Sequence, residues 1–158
     1  PSVVDCYLTA THGEGFGIPI FNSACNGIPV IATNWSGHLD FLRAPTKTST
    51  NKIKLKSHFL KVGFDIMNVQ QHHLMPGLIV AGSEWAYPRE SSFKKNLRFI
   101  RNNKHQVTED AQNLKNYLLE KYKIESIRER YKENILKTLP EKSDLENEVE
   151  KMFSQLSI

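Results

Sequence analysis

The chain has 158 residues, 39% of them hydrophobic and 24% charged, and no apolar run approaches the ~20 residues of a membrane span, so we expect one soluble domain. It begins at Pro1 without a signal-peptide pattern, which fits a cytoplasmic protein and a fragment of a longer one. The net charge of +4 does not indicate nucleic acid, because basic residues of the second half alternate with acids, as in Arg128-Glu129-Arg130, without interleaved aromatics.

The first predicted unit is a strand, a glycine-rich turn, a helix and a second strand. Residues 3–11 form an apolar run typical of a buried strand, and the turn His12-Gly13-Glu14-Gly15-Phe16-Gly17-Ile18-Pro19 follows it. A helix over residues 20–25 ends at Asn26-Gly27, and residues 29–33 begin another buried strand. Glycines around one carboxylate let a ligand approach the helix start. This favours an anion such as a diphosphate at the carboxyl end of a parallel sheet.

Glycines alone are weak indicators of a binding site. The spacing Gly-x-Gly-x-Gly differs from the dinucleotide fingerprint Gly-x-Gly-x-x-Gly, and no Lys-Ser/Thr follows as in a phosphate loop. Tight strand-to-helix turns also use glycine for steric reasons alone. A dehydrogenase would need an acidic ribose-binding residue about 20 residues beyond the glycines, where Asp40 lies.

Residues 43–88 have a less regular pattern. We predict a polar loop over 44–51, half-exposed strands at 53–56 and 59–62, a short buried strand at 77–82 and a loop over 83–88. Adjacent histidines on an extended segment point to opposite sides and no nearby residue completes a ligand set. His72 and His73 are therefore predicted to be surface or loop residues, not metal ligands. Trp85 and Tyr87 are predicted to fill a sheet–helix interface, with stacking on a base or sugar as the alternative.

Helices are predicted for most of the remaining chain. The apolar spacing gives helices over 90–102, 108–122 and 126–139, after which Pro140 and Ser143 precede a last amphipathic helix. We expect one domain over 1–139 and a C-terminal helix within 140–158. Cys6 and Cys25 have no metal-ligand spacing and lie in apolar segments, which predicts reduced, packed thiols.

The whole segment around the turn is more specific than its glycines. Glu14-Gly15-Phe16-Gly17-Ile18-Pro19-Ile20, a short helix and Asn26-Gly27-Ile28-Pro29-Val30-Ile31-Ala32-Thr33 resemble the donor-binding segment of family 4 retaining glycosyltransferases. The match is close over residues 4–42 and looser to about residue 139. It implies an α/β fold with a Rossmann-like parallel sheet flanked by helices: the second half of a GT-B C-terminal domain, with extra C-terminal helices.

The resemblance also implies roles for individual residues. Glu14 matches the first glutamate of the family's Glu-x-seven-Glu motif and would bind hydroxyls of the transferred sugar at the catalytic centre. The implied donor-binding residues are His12, Gly13, Gly15, Phe16, Gly17, Ile18 and Asn22, with the backbone N–H groups near Phe16, Gly17 and Ile18 holding the diphosphate. Asn22 replaces the second glutamate. Since an amide offers one acceptor oxygen where a carboxylate offers two, we expect a weaker grip on the ribose.

The implied reaction is retaining transfer of a sugar from a nucleoside-diphosphate-sugar to the hydroxyl of a carbohydrate or lipid-linked acceptor, with no metal or other cofactor. A GT-B enzyme has two such domains, so we expect this chain to be inactive alone. A degenerate, non-catalytic binding or assembly module is the alternative, which Asn22 favours. We also expect peripheral membrane contact if the acceptor is lipid-linked, and a homo-oligomer if the first strand has an unpaired edge.

Overall fold

The computed structural model describes residues 4–47 and 50–138, together with Asn147 and Lys151. The chain divides into two compact units, Pro1–Glu120 and Lys121–Ile158. In the described part of the chain, no helix is both long and apolar enough to cross a membrane. Apart from Asn147 and Lys151, the predicted helix within 140–158 lies outside the described residues, so that prediction stands untested.

The structure is mixed α/β, as predicted. The elements in chain order are β1 (Tyr7–Leu8), α1 (Ile18–Cys25), β2 (Val30–Thr33), β3 (Arg43–Lys47), β4 (Ile53–Ser57), β5 (Leu60–Val62), β6 (Phe64–Asn68), β7 (Glu84–Pro88), α2 (Glu90–Asn102), α3 (Lys104–Lys121) and α4 (Ile124–Thr138). Short 3-10 helices cover Gly37–Asp40 and Gln71–His73.

A small parallel sheet flanked by helices forms the core of the first unit. The strand order is β1-β2-β5, with Leu8 paired to Ile31 and Ile31 paired to Leu60. All four residues of the central strand β2 are buried, which explains the continuous apolar run of its sequence. Among the described residues β1 is an edge strand, and Leu8 is half exposed. The unpaired edge is therefore present, whereas the homo-oligomer stays a prediction.

Helix α1 has its boundaries near where the sequence placed them. Gly17 precedes it in the left-handed conformation with φ 81°, and Pro19 occupies its first turn. At its end Gly27 has φ 73°. The N–H groups of Gly27 and Ile28 donate to the carbonyls of Ala24 and Ser23, which is a Schellman motif. The predicted stop at Asn26-Gly27 is thus confirmed.

Two antiparallel hairpins differ from the predictions for residues 43–88. The predicted polar loop 44–51 is wrong in its first part, because β3 pairs with β4 in a hairpin that tolerates Pro45. The predicted buried strand at 77–82 is also wrong: Gly77 and Gly82 have positive φ angles of 77° and 89°, and Leu78 is 75% exposed. The strand is instead β7, which pairs with β6 where a loop was predicted.

The helices after β7 match the predictions in number and approximate place. Helix α3 starts at Lys104, four residues before its predicted start, and buries Val107, Ala111, Leu114 and Leu118. In the second unit, α4 exposes Tyr131 and Ile135, residues of its predicted apolar stripe. Cys6 and Cys25 are half-buried free thiols, and burial raises the pKa of both.

Candidate functional site

The glycine-rich turn lies at the carboxyl ends of the parallel strands. The Thr33 hydroxyl at the end of β2 donates to the Thr11 carbonyl beyond β1, at 2.8 Å. The N–H of Asn34 donates to the carbonyl of Val62 at the end of β5, at 2.9 Å. The three strand ends are therefore tied together beside the turn. Open parallel sheets bind ligands at this edge.

The segment after β2 holds the turn in place through main-chain contacts. The Ser36 hydroxyl accepts from the N–H of Glu14 at 2.6 Å and donates to the carbonyl of the same residue at 2.8 Å. The N–H of Gly37 donates to that carbonyl as well, at 3.0 Å. Ser36 has φ 77° and ψ −166°, a conformation that strongly favours glycine, so this anchor stores backbone strain.

The amino end of α1 begins directly after the turn. In the described part of the chain no side chain caps this helix. Pro19 has no N–H, so the donors left for an anion in the first turn are the N–H groups of Ile18 and Ile20. A Cβ atom on Gly17 would lie 3.4 Å from the Cβ of His38 and 3.6 Å from the Cβ of Glu14. Both side chains therefore stand beside the helix start.

Glu14 combines partial burial with a carboxylate that has no structural partner. Its main chain is bonded to Ser36 and Gly37, but within the described residues the carboxylate forms no hydrogen bond or ion pair. A structural ion pair here would have argued against ligand binding. The carboxylate is thus available to accept hydrogen bonds from a ligand beside the helix start.

His12 is fixed by strand β7. Its Nδ1 donates to the Ala86 carbonyl at 2.9 Å, its ring stacks on Trp85 with centroids 5.0 Å apart, and Tyr87 meets it edge-on at 4.6 Å. Trp85 also contacts the exposed His73. The ring contacts of Trp85 and Tyr87 are thus with histidines, one of which is the first residue of the turn, and the predicted sheet–helix packing of these two aromatics stays a prediction.

Buried polar atoms without partners concentrate around this turn. Within the described residues four such side-chain atoms have no hydrogen-bond partner: Thr11 Oγ1, Asn34 Oδ1, His38 Nδ1 and Tyr87 Oη. His38 is fully buried, and its Nε2 donates to the Thr33 carbonyl at 2.7 Å, which leaves Nδ1 as an acceptor. Because buried polar atoms are nearly always bonded, this concentration makes the carboxyl edge of the sheet a candidate ligand site.

A cleft of about 360 Å³ opens beside His12, within the range of small-molecule sites. Its lining comprises Ala10, His12, Tyr87, Pro88, Arg89, Glu90 and Phe93. Arg89 forms a two-pronged contact with Asp65, which lowers the pKa of the Asp65 carboxyl, and Glu90 is paired with Lys94.

Two other cavities lie elsewhere in the first unit. One of about 40 Å³ lies at the amino ends of β2 and β5, and a depression of about 610 Å³ is lined by α3 alone. Neither adjoins the turn.

The remaining predicted donor-binding residues occupy different positions around the turn. Phe16 packs on Phe21 and Phe41 with centroids 5.2 and 5.0 Å away, and so anchors the turn. Gly13 and Gly15 are exposed, as are Ile18 at the helix start and Asn22 one turn further along α1. The structure thus brings Glu14, Gly17 and Ile18 together, while the Asn22 side chain points outward on α1.

Ser36, Gly37 and His38 were not among the predicted site residues. The Ser-Gly-His sequence after a buried strand was the available signal, since such a turn at a strand end can contact its neighbour. In the described residues no group of three or more His, Cys, Asp and Glu side chains could hold a metal ion. His72 and His73 lie exposed in a 3-10 turn, not on an extended segment as assumed.

Searches with protein-family models, against curated proteins and against solved structures gave no match to this chain. Membership of the glycosyltransferase family therefore stays a prediction, and the geometry of the turn carries the functional argument.

Proposed function

We propose that the first unit binds the sugar-nucleotide donor of a retaining glycosyltransferase with GT-B architecture. The observation that carries this proposal is the unpartnered carboxylate of Glu14 beside the uncapped amino end of α1. A diphosphate needs N–H donors and a positive dipole, whereas a sugar ring needs hydrogen-bond acceptors. The N–H donors of α1 and the acceptor oxygens of Glu14 lie together at the carboxyl edge of one parallel sheet.

Each part of the turn would have a defined task. The N–H groups around Gly17 and Ile18 would stabilise the negative charge that develops on the leaving diphosphate, so no metal ion is required. Glu14 would accept hydrogen bonds from sugar hydroxyls and fix the ring for attack by the acceptor. It would not transfer a proton. Cytoplasmic location and a carbohydrate or lipid-linked acceptor belong to the same proposal.

A non-catalytic binding module is the second candidate. It is favoured by Asn22, whose amide replaces the carboxylate that would grip both ribose hydroxyls. The two candidates share donor binding and differ in turnover. Sugar transfer by a protein that joins this chain to an acceptor-binding domain would exclude the module.

A thermal-shift panel of UDP-, GDP- and ADP-sugars tests the shared step. A ligand at about one hundred times its Kd stabilises the folded state by about 2.7 kcal/mol, so one base should raise the melting temperature selectively. Inorganic diphosphate and free sugars at equal concentration are the controls. No shift with any sugar nucleotide, or an equal shift with inorganic diphosphate, would contradict the proposal.

A further inference from the structure

The segment between Asp40 and Asp65 is strongly basic. Its 24 residues contain no acidic side chain and six cationic ones: Arg43, Lys47, Lys52, Lys54, Lys56 and Lys61. Most of the segment folds as the β3–β4 hairpin, residues 43–57, which holds five of these six cations. The hairpin therefore carries more positive charge than the net +4 of the whole chain.

One face of this hairpin combines a cation with exposed aliphatic side chains. The register pairs Lys47 with Ile53 and Pro45 with Leu55, and alternation along each strand places these four residues on the same face. Ile53 is 70% and Leu55 is 65% exposed. Two large aliphatic side chains on one hairpin thus lie in water, next to Lys47.

The opposite face packs against the body of the first unit. Ala44 on β3 is buried, and Lys56 on β4 forms an ion pair with Asp110 of α3 at 2.5 Å. Just beyond β4, Nδ1 of the buried His58 donates to the Asp110 carbonyl at 3.2 Å. These contacts fix the hairpin, so Ile53 and Leu55 are directed away from α3 by the fold itself.

We propose that this hairpin face docks on an anionic membrane surface. Ile53 and Leu55 enter the boundary between headgroups and acyl chains, while Lys47 on the same face approaches the lipid phosphates. Lys54 lies on the other face but is exposed near the hairpin tip, so its charge adds to the attraction within a Debye length. The face carries aliphatic and no aromatic side chains. Lipid is therefore a better partner than single-stranded nucleic acid, which would stack on aromatics. This inference is independent of the sugar-nucleotide site.

Vesicle sedimentation of the full chain tests the proposal. We expect binding to vesicles of roughly one-third phosphatidylserine in phosphatidylcholine, at least tenfold weaker binding to pure phosphatidylcholine, and loss of most binding at about 0.5 M salt. Absence of sedimentation with the anionic vesicles would overturn the proposal.

Two pairs of variants locate the contact. The double change Ile53→Ser and Leu55→Ser should weaken vesicle binding at least tenfold, whereas Leu78→Ser with Val80→Ser, which removes two exposed aliphatics elsewhere, should not change it. Lys47→Gln with Lys54→Gln should weaken binding about tenfold or more, against little change for Lys95→Gln with Lys132→Gln. Equal effects within either pair would contradict the assignment.

Two alternative occupants give different results. If the Ile53/Leu55 variant loses no vesicle binding and an RNA oligonucleotide displaces the chain, the surface is a general polyanion site and the membrane proposal fails. If the same variant converts a dimer to a monomer in ultracentrifugation and vesicles do not bind, the face joins two copies. We expect all four variants to keep the original melting temperature and the original thermal shift with sugar nucleotides. A failure of the membrane proposal can then be told apart from a failure of the donor-site proposal.

Discussion

The carbonyl oxygen of Gly15 occupies the place that a side chain on Gly37 would need. A Cβ atom at residue 37 would lie 1.8 Å from this oxygen and 3.0 Å from the Glu14 carbonyl oxygen. The two glycine-containing turns are thus in main-chain contact. The position of the candidate anion site depends on that contact, since α1 starts only three residues after Gly15.

Gly37→Ala is therefore expected to destabilise the fold and to abolish sugar-nucleotide binding. The added methyl group must displace main chain, which costs about 2 kcal/mol or more of unfolding free energy. Gly15→Ala is the matched control, because a Cβ atom there meets no heavy atom within 4 Å. Urea unfolding of both variants measures the difference in unfolding free energy. Equal losses in the two variants would show that the contact between Gly37 and Gly15 does not limit stability.

Ser36 offers a second test of the same anchor. Its φ of 77° strongly favours glycine, while its hydroxyl makes two hydrogen bonds to Glu14. Ser36→Ala loses both bonds and keeps the strain, whereas Ser36→Gly loses the bonds and relieves the strain. We expect the alanine variant to be less stable than the glycine variant by about 1–2 kcal/mol in urea unfolding. The opposite order would argue against strain at this residue.

Glu14→Gln separates sugar recognition from diphosphate recognition. Loss of a charged acceptor should weaken binding of the sugar nucleotide at least tenfold, because hydrogen bonds to charged groups contribute about 1.5–3 kcal/mol. The free nucleoside diphosphate should bind within about twofold of its original affinity. Calorimetry checks both, with Glu84→Gln, an exposed carboxylate on β7, as the control. Equal losses for both ligands would contradict the role of Glu14.

Asn22→Glu should tighten nucleotide binding by about tenfold, since a carboxylate accepts from both ribose hydroxyls. The residue is exposed on α1, so the substitution does not disturb the core. Asn134→Glu adds the same charge at an exposed position on α4, which belongs to the second unit, and serves as the control. Unchanged or weaker affinity of Asn22→Glu by calorimetry would place the ribose elsewhere.

His58 should make stability depend on pH. Burial and the charge of Lys56 lower its pKa below the ordinary value, partly opposed by Asp110. Near pH ~6.5 the His58 imidazole therefore binds a proton more readily in the unfolded chain than in the folded chain. The free energy of unfolding consequently falls as the pH drops below that value. The slope from this residue is at most about 1.4 kcal/mol per pH unit.

His58→Gln should flatten the unfolding free energy between pH ~5 and ~7, and His72→Gln, which alters an exposed histidine, should not. Chemical unfolding at several pH values provides the curves. An undiminished slope in His58→Gln would assign the pH dependence to other groups.

The sequence predicted the fold best where local signals agree. The apolar run of β2, Pro19 in the first turn of α1 and the Asn26-Gly27 stop each have a direct physical meaning, and the structure confirms them. The prediction failed where pairing decides the conformation. Residues 84–88 form a strand because β6 lies beside them, and no periodicity within five residues shows that neighbour.

The candidate site was predictable only in part. Glu14 and the start of α1 followed from the glycine-rich pattern, because their positions are set by local chain geometry. Ser36, Gly37 and His38 lie about 22 residues further along the chain, and their contacts arise when β1 and β2 pair. Their part in holding the turn follows from three-dimensional packing and not from spacing.

Main-chain atoms, the Ser36 hydroxyl and the rings of His12 and Phe16 hold the glycine-rich turn, which has a consequence for how the proposed donor preference could change. The side chains of Ile18 and Asn22 take no part in that anchor, so a library randomised at these two positions leaves the backbone geometry intact. Under the proposed function, retargeting to another base or sugar would then need no redesign of the scaffold.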